Sequence, residues 1–272
     1  MKVGSSLLGS TALALALLAC SSSPESSSAE TTGTDEIVAE PGPSASAPRA
    51  SQDSGADRAP APPAVSVAPA PEAPKPVTVD DVLVKLRSCR AVSTAPYKTD
   101  VSSSTPANIS VCGTTGGLHF TADMDIDCDG KPSSVCNSST DPSFQAQTAG
   151  TDSKGAPLDA SKLPYVVVPG ESSRFSYVDA GLEMGSVVLV IYDGKMTFGV
   201  VGDVGPTSIV GEASYAMAKE LGINPDPAVG GTSSGVTYLF FTGPSAKVKK
   251  LEDRAEALRL GEALLASWYA KN

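Results

Sequence analysis

The stretch Val200-Val201-Gly202-Asp203-Val204-Gly205-Pro206 leads through Thr207-Ser208-Ile209-Val210 into Gly211-Glu212-Ala213-Ser214. An apolar strand there would deliver the carboxyl of Asp203, and a helix start the carboxyl of Glu212. Two carboxyls on different elements suit acetal hydrolysis. One protonates the leaving oxygen while the other activates water, or attacks, on the opposite side. Each also has an ordinary structural reading: Asp ahead of Gly-Pro is a common strand exit, and Glu in a first helical turn complements the helix dipole.

A second acidic group is Asp123, Asp125, Asp127 and Asp129, at every second position. In a strand this row would project from one face, and its repulsion has to be offset by solvent or by something cationic. Asp125-Ile126-Asp127-Cys128-Asp129-Gly130 also reads as the opening of a calcium loop, but the twelfth position is Cys136 rather than Glu. The row can be a solvated structural edge, a calcium site, or subsites for a positively charged ligand. The expectation carried forward is the ligand subsites, with no metal and no cofactor.

The elements that must position these residues begin well inside the chain. Met1-Lys2 precedes an apolar run from Leu7 to Ala19 that is too short for a stable membrane span and reads as an export signal. Its end, Leu17-Leu18-Ala19-Cys20, resembles a bacterial lipoprotein box. Residues 1–19 are then the signal peptide, and Cys20 is the lipidated first residue of an exported, cell-envelope protein held to the membrane by that anchor alone. The alternative is a secretory signal with an incidental cysteine. Between Ser21 and Val77 there is no aromatic residue and 11 of the 22 prolines fall here, so residues 20–77 read as a tether that cannot offset its chain entropy.

Thr78-Val79-Asp80-Asp81 looks like a capping box, so one folded domain is expected over 78–272. Its apolar segments are short and β-rich: Leu118 to Ile126, Tyr165 to Val168, Val187 to Tyr192, Met196 to Val201 and Val236 to Phe241. Two later helices are expected, Ala213 to Leu221 and Leu251 to Tyr269. The second carries Leu251, Ala255, Leu258, Leu265 and Trp268 on one stripe, which makes Trp268 a core residue rather than a sugar platform. The domain is therefore mainly β with few helices.

Setting Cys20 aside leaves four cysteines, and an exported chain with an even number suggests disulfides. Of the three possible pairings, the tight Cys128 to Cys136 interval favours a local bridge, leaving Cys89 with Cys112. The one histidine, His119, sits alone in a strand and reads as structural. From Thr78 onward 22 acidic face 16 basic residues, and the whole chain carries −10. Nucleic acid and anionic membrane surfaces are poor partners for such a chain, so no nucleic-acid partner is expected, whereas a polycation would be attracted.

Ala122-Asp123-Met124-Asp125-Ile126-Asp127-Cys128-Asp129-Gly130, Leu163-Pro164-Tyr165-Val166-Val167-Val168-Pro169, Gly202-Asp203, Gly211-Glu212-Ala213-Ser214 and Gly235-Val236-Thr237-Tyr238 resemble, in order, successive blocks of the fungal-type chitosanases, glycoside hydrolase family 75. The resemblance implies endo-hydrolysis of chitosan with inversion, and the family's essential residues fall on Asp203 and Glu212. Glu212 is assigned as acid and Asp203 as base, against a first-turn helix dipole that favours the charged form of Glu212. The domain is expected to be a monomer. Chitosan, a glucosamine polymer whose amines are partly protonated at mildly acidic pH, also suits the acidic balance. Val200 to Ile223 is similar to the signature of double-psi β-barrels, which implies a six-stranded barrel. Two other functions stay open: a hydrolase directed at peptidoglycan, and a glycan-binding lipoprotein without turnover.

Overall fold

The computed structural model describes residues 75–272. The signal segment, Cys20 and the tether up to residue 74 lie outside the described residues. The expected capping box is formed: Thr78 caps helix α1 (Val79–Lys85), its hydroxyl accepting the Asp81 N–H while the Asp81 carboxyl takes the Thr78 N–H. Val77, placed by sequence in the tether, packs against the core beside buried Val82. These are the two positions of a hydrophobic staple, so the folded part starts slightly earlier than composition indicates.

Seven strands follow: β1 (Cys112–Thr114), β2 (Gly117–Asp127), β3 (Tyr165–Pro169), β4 (Val187–Tyr192), β5 (Lys195–Gly205), β6 (Glu212–Ser214) and β7 (Thr232–Phe241). The hydrogen-bonded order is β1-β2-β6-β3-β5-β4-β7, and β7 returns to pair with β2. Six strands thus close into the expected barrel, with β1 as an added hairpin strand on β2. The β2–β6 and β3–β5 pairs are parallel, and the other barrel pairs are antiparallel.

Both faces of the sheet are covered, which is why strands such as Val187-Val188-Leu189-Val190-Ile191 read as continuous apolar runs instead of alternating. Val166, Val168, Val188 and Val190 join one cluster with helix α2 (Tyr215–Leu221). Tyr165, Val167, Val187 and Leu189 join another with α1 and helix α3 (Arg254–Lys271). The buried seam of α3 is Ala257, Gly261, Leu265 and Trp268. Ala255 and Leu258, expected on that stripe, are exposed. Gly261 carries the contact instead, because a Cβ there would meet the Phe198 ring at 2.4 Å. Trp268 is core as expected, with its indole N–H donating to Thr114 Oγ1 at 2.8 Å.

The disulfides are Cys89–Cys112 and Cys128–Cys136, as the spacing indicated. One element differs in kind. Helix α2 begins at Tyr215 with Ser214 as its cap and has no acidic residue in its first turn. Glu212 lies ahead of the cap in β6, hydrogen-bonded between β2 and β3. Tertiary pairing overrides the local helix signal there.

Candidate active site

Register brings the acidic residues together. Asp125 of β2 lies opposite Glu212 of β6, and Val167 of β3 lies opposite Asp203 of β5. The antiparallel β3–β6 pair matches Val166 with Ala213, so one step along Val167 neighbours Glu212. Asp125, Glu212, Val167 and Asp203 therefore form one row across four adjacent strands, on one face of the sheet. Two strand spacings of about 4.8 Å each separate the backbones of Glu212 and Asp203.

Three local devices fix this row. Gly202 is the extra residue of a bulge in β5, which re-aims Asp203; a Cβ at Gly202 would come within 2.6 Å of Tyr165 Cβ. Ser214 is fully buried, and its hydroxyl accepts the N–H groups of Met217 and Tyr165 while donating to the Leu163 carbonyl. The Cys128–Cys136 bridge staples the loop that follows Asp127.

The row floors a cleft of 590 Å³ whose walls include Asp125, Asp127, Asp129, Asp203 and Glu212. Among the described residues no Lys, Arg or His lines it. Of the four alternate aspartates the structure gathers three. Asp123 is buried outside the cleft and lines a neighbouring cavity. Cys136, twelfth in the calcium-loop pattern, is committed to its disulfide. The carboxyls that do approach one another are Asp127, Asp129 and Asp203, whose oxygens lie within 4.8 Å. That arrangement of oxygen donors would suit a hard cation, yet it differs from the consecutive calcium loop and draws in Asp203.

Without basic partners, burial and mutual repulsion raise these acids. Desolvation, then Asp125, Asp129 and Asp203, bring Glu212 up to about 7. Asp129 is raised to about 6, chiefly by desolvation, against the Gln145 N–H that donates to it. Asp127 is raised well above the carboxylate range by burial, against the Asp129 N–H. Asp203, 8 % exposed, is also raised by burial, but its Oδ1 accepts the N–H of Ala149 at 2.8 Å and of Val204 at 2.7 Å, and both favour the charged form. The two candidate carboxyls thus differ in kind: Glu212 has only desolvation and like charge acting on it, whereas Asp203 has two donors.

Two contributors were not singled out from sequence. Ala149 acts through its backbone, which no side-chain pattern marks. Tyr165 was quoted only as part of a strand. Its hydroxyl donates to the Asp129 carbonyl at 3.1 Å and lies among Asp127, Asp203 and Asp129, whose charges, after burial, raise it well above the phenol range.

Residues 124–260 match the family described as fungal chitosanase of glycosyl hydrolase group 75. The chain is 38 % identical over 165 residues to Endo-chitosanase B of Aspergillus oryzae, covering 54 % of this chain and 68 % of that protein. It is 33 % identical over 169 residues to an Endo-chitosanase of the same species, covering 55 % and 69 %. An Endo-chitosanase of Aspergillus fumigatus is 31 % identical over 186 residues, covering 60 % of this chain and 78 % of its own length. The matched span holds every carboxyl of the cleft, and the chain belongs to glycosyl hydrolase group 75, as a glycoside hydrolase.

Proposed function

We propose that this chain is an endo-acting chitosanase that cleaves β-1,4 linkages with inversion, Glu212 serving as general acid and Asp203 as general base. The observation that carries the assignment is the difference between the two carboxyl environments. Glu212, raised to about 7, keeps its proton at the mildly acidic pH where the amines of chitosan are charged. Burial raises Asp203 too, but the N–H groups of Ala149 and Val204 oppose that rise by favouring its carboxylate form, and Glu212 has no such donors. An acid and a base in one cleft need that separation. Glu212 lies in β6 ahead of the helix cap Ser214, not in the first helical turn where the dipole would favour its charged form most.

Inversion is supported by the row. Inverting hydrolases leave about 6.5–9.5 Å between the two carboxyls for the attacking water. Strands two ladder spacings apart, roughly 9.6 Å, can present side chains at such a separation, with Val167 as an inert floor between them. Asp125, Asp127 and Asp129 line the same cleft, so an ammonium-bearing chain meets carboxyl groups there with no basic rival and would draw them toward their charged form, which fits a polycationic substrate. The relatives named Endo-chitosanase support the same substrate. A peptidoglycan-directed hydrolase and a glycan-binding protein without turnover gain no comparable support.

Export and anchoring through Cys20 belong to this proposal as well. Two disulfides in the described domain suit an oxidising compartment, and the tether would hold a monomeric catalytic domain off the membrane. The test of the chemistry is kinetic. Asp203→Asn and Glu212→Gln should each keep the fold and lower kcat on chitosan at least about a hundredfold. NMR of fresh product should show the α-anomer. Near wild-type turnover in either variant would reject the pair, and the β-anomer would reject inversion.

A further inference from the structure

Tyr165 is fully buried and is held at both ends. Its ring leaves β3 against the bulge of β5: a Cβ added at Gly202 would stand 2.6 Å from Tyr165 Cβ and 2.7 Å from Cγ, so only glycine fits directly ahead of Asp203. The root is fixed as well, because the Tyr165 N–H donates to Ser214 Oγ at 3.0 Å. At the far end the hydroxyl donates to the Asp129 carbonyl at 3.1 Å. A ring packed at close quarters and bonded at root and tip is a strut. It connects the bulge that aims Asp203 with the turn that carries Asp129.

The other polar groups of Asp129 are committed around that point. Its N–H donates to Asp127 Oδ1 at 2.7 Å, and its own Oδ1 accepts the Gln145 N–H at 2.7 Å. Asp203 is arranged alike, with Oδ1 taking the N–H groups of Ala149 and Val204. Each carboxyl thus has one oxygen fixed by backbone donors and a second to which no described residue donates. Oxygens of the two groups lie within 4.8 Å of one another in the wall of the cleft. One water that donates a hydrogen bond of about 2.8 Å to each of two acceptors spans at most about 5.6 Å between them, so this separation suits a shared water.

We propose that Tyr165 is a positioning residue of the hydrolysis: its hydroxyl holds the turn so that the Asp129 carboxyl is the second acceptor, beside Asp203, for the attacking water. The proposal rests on the reading of Asp203 as the base. It adds what orients the nucleophile. One O–H of the water points at Asp203 and the other at Asp129, which leaves an oxygen lone pair for the anomeric carbon. As the new carbon–oxygen bond forms, Asp203 takes the proton it faces, and the leaving oxygen departs with the bonding pair and takes the proton of Glu212. The water's second proton stays on the product hydroxyl. Asp129 neither gains nor loses a proton, and its carboxyl accepts a hydrogen bond in the neutral and in the charged form. With one acceptor alone the water could turn about that bond, and lost orientation is costly in rate.

Tyr165→Phe keeps the ring and removes the far contact. The full chain, wild type and variant, is assayed on soluble glucosamine hexamer, and its aspartate carboxyl carbons are titrated by NMR. Expected is kcat about five- to tenfold lower with KM changed less than about twofold, because an acceptor for water is displaced and the binding surface is kept. The Asp129 midpoint, about 6 in the wild type and raised chiefly by burial, should fall by about half a pH unit or more as the turn relaxes toward solvent. In an Asp129→Ala background, adding Tyr165→Phe should lower kcat no more than about twofold, since both changes strike one contact. Unchanged kcat and an unchanged Asp129 midpoint in folded Tyr165→Phe would overturn the strut and leave the carboxyl pair standing. Turnover that survives Asp203→Asn would reject the base instead; a lowered Asp129 midpoint in Tyr165→Phe would then still support the strut, and an unmoved one would overturn it. Should Tyr165→Phe fail to fold, the wild type decides: a buried, bonded Tyr165 hydroxyl proton should exchange slowly enough to be seen by NMR in water, close to Asp129, and its absence would overturn the strut.

Discussion

Ala149 donates its backbone N–H to Oδ1 of Asp203 at 2.8 Å. The residue is placed by a loop anchored at several points. Gly150 N–H donates to the Gly202 carbonyl at 2.9 Å, inside the bulge that aims Asp203. The Thr148 hydroxyl donates to the Gly150 carbonyl and accepts the Leu158 N–H. Further out, Ser153 N–H donates to the carboxylate of Glu252, just ahead of α3. The charge state of the proposed base is thus tied to a loop that carries no catalytic side chain.

Gly150→Ala tests that tie. A Cβ at 150 would meet the Gly202 carbonyl oxygen at 2.7 Å and Leu251 Cδ2 at 2.6 Å, so the loop has to shift and the Ala149 bond lengthens. A carboxylate that loses a donor has a higher pKa, and a base must be deprotonated to act. The acid limb of the kcat/KM profile should therefore move to higher pH, with kcat roughly five- to tenfold lower. An unmoved acid limb in a folded Gly150→Ala protein would separate the loop from Asp203.

Stability should fall as pH rises. Glu212 and Asp123 are raised to about 7 in the folded chain, from ordinary values of 4.5 and 3.8. An acid whose folded pKa is raised contributes fully below its unfolded pKa, and that contribution is lost as pH climbs through the folded value. The domain should melt higher at pH 5 than at pH 8. A change of about 2 kcal/mol corresponds to roughly 4–8 °C for a domain of this size. Glu212→Gln, which cannot ionise, should melt above the wild type at pH 8 despite its lost turnover. A wild type more stable at pH 8 than at pH 5 would contradict the uncompensated acidic cluster.

Ser214→Ala should cost about 2–3 kcal/mol, read as a lower urea midpoint. The substitution removes a helix cap and leaves a buried Tyr165 N–H and a Leu163 carbonyl without their partner. A loss below about 0.5 kcal/mol would mean that this hydroxyl does not organise the junction of β3, β6 and α2.

The two disulfides should separate stability from activity. Closing a loop as short as Cys128 to Cys136 stabilises by about 2–3 kcal/mol in the chain-entropy description. Replacing both cysteines by Ser should in addition lower kcat, because Asp127 and Asp129 flank Cys128 in the cleft wall. Replacing Cys89 and Cys112, a bridge outside the cleft walls, should lower the melting temperature with kcat per folded molecule little changed. Equal effects on kcat would show that the Cys128 bridge does not hold the acidic wall.

Much of the fold is legible in the linear sequence, for local reasons. Thr78 to Asp81 form a cap because four consecutive residues contain both halves of it. The β4–β5 hairpin turns at Asp193-Gly194, both at positive φ, a conformation Gly adopts freely and Asp tolerates. The long apolar strands are set by composition, and the short Cys128 to Cys136 interval favours, among three possible pairings, the one the structure has. Asp203 and Glu212 stand out because of the family blocks that contain them.

Tertiary structure decides what lies across strands. β6 is three residues long, and on its own Glu212-Ala213-Ser214 reads as a helix start; only pairing with β2 and β3 makes it a strand and removes Glu212 from the helix dipole. The period-two row of aspartates looks uniform, yet the β2–β7 register shifts between Ala122 and Met124, and Asp123 there lines a neighbouring cavity while Asp125 and Asp127 face the cleft. The pKa values follow from the same packing. A carboxyl's proton affinity depends on burial and on charges brought within a few ångströms by strands distant in sequence. Side-chain types determine what chemistry this chain can carry, and the closed barrel decides how tightly each carboxyl holds its proton, since desolvation and like-charge repulsion exist only once the strands are adjacent.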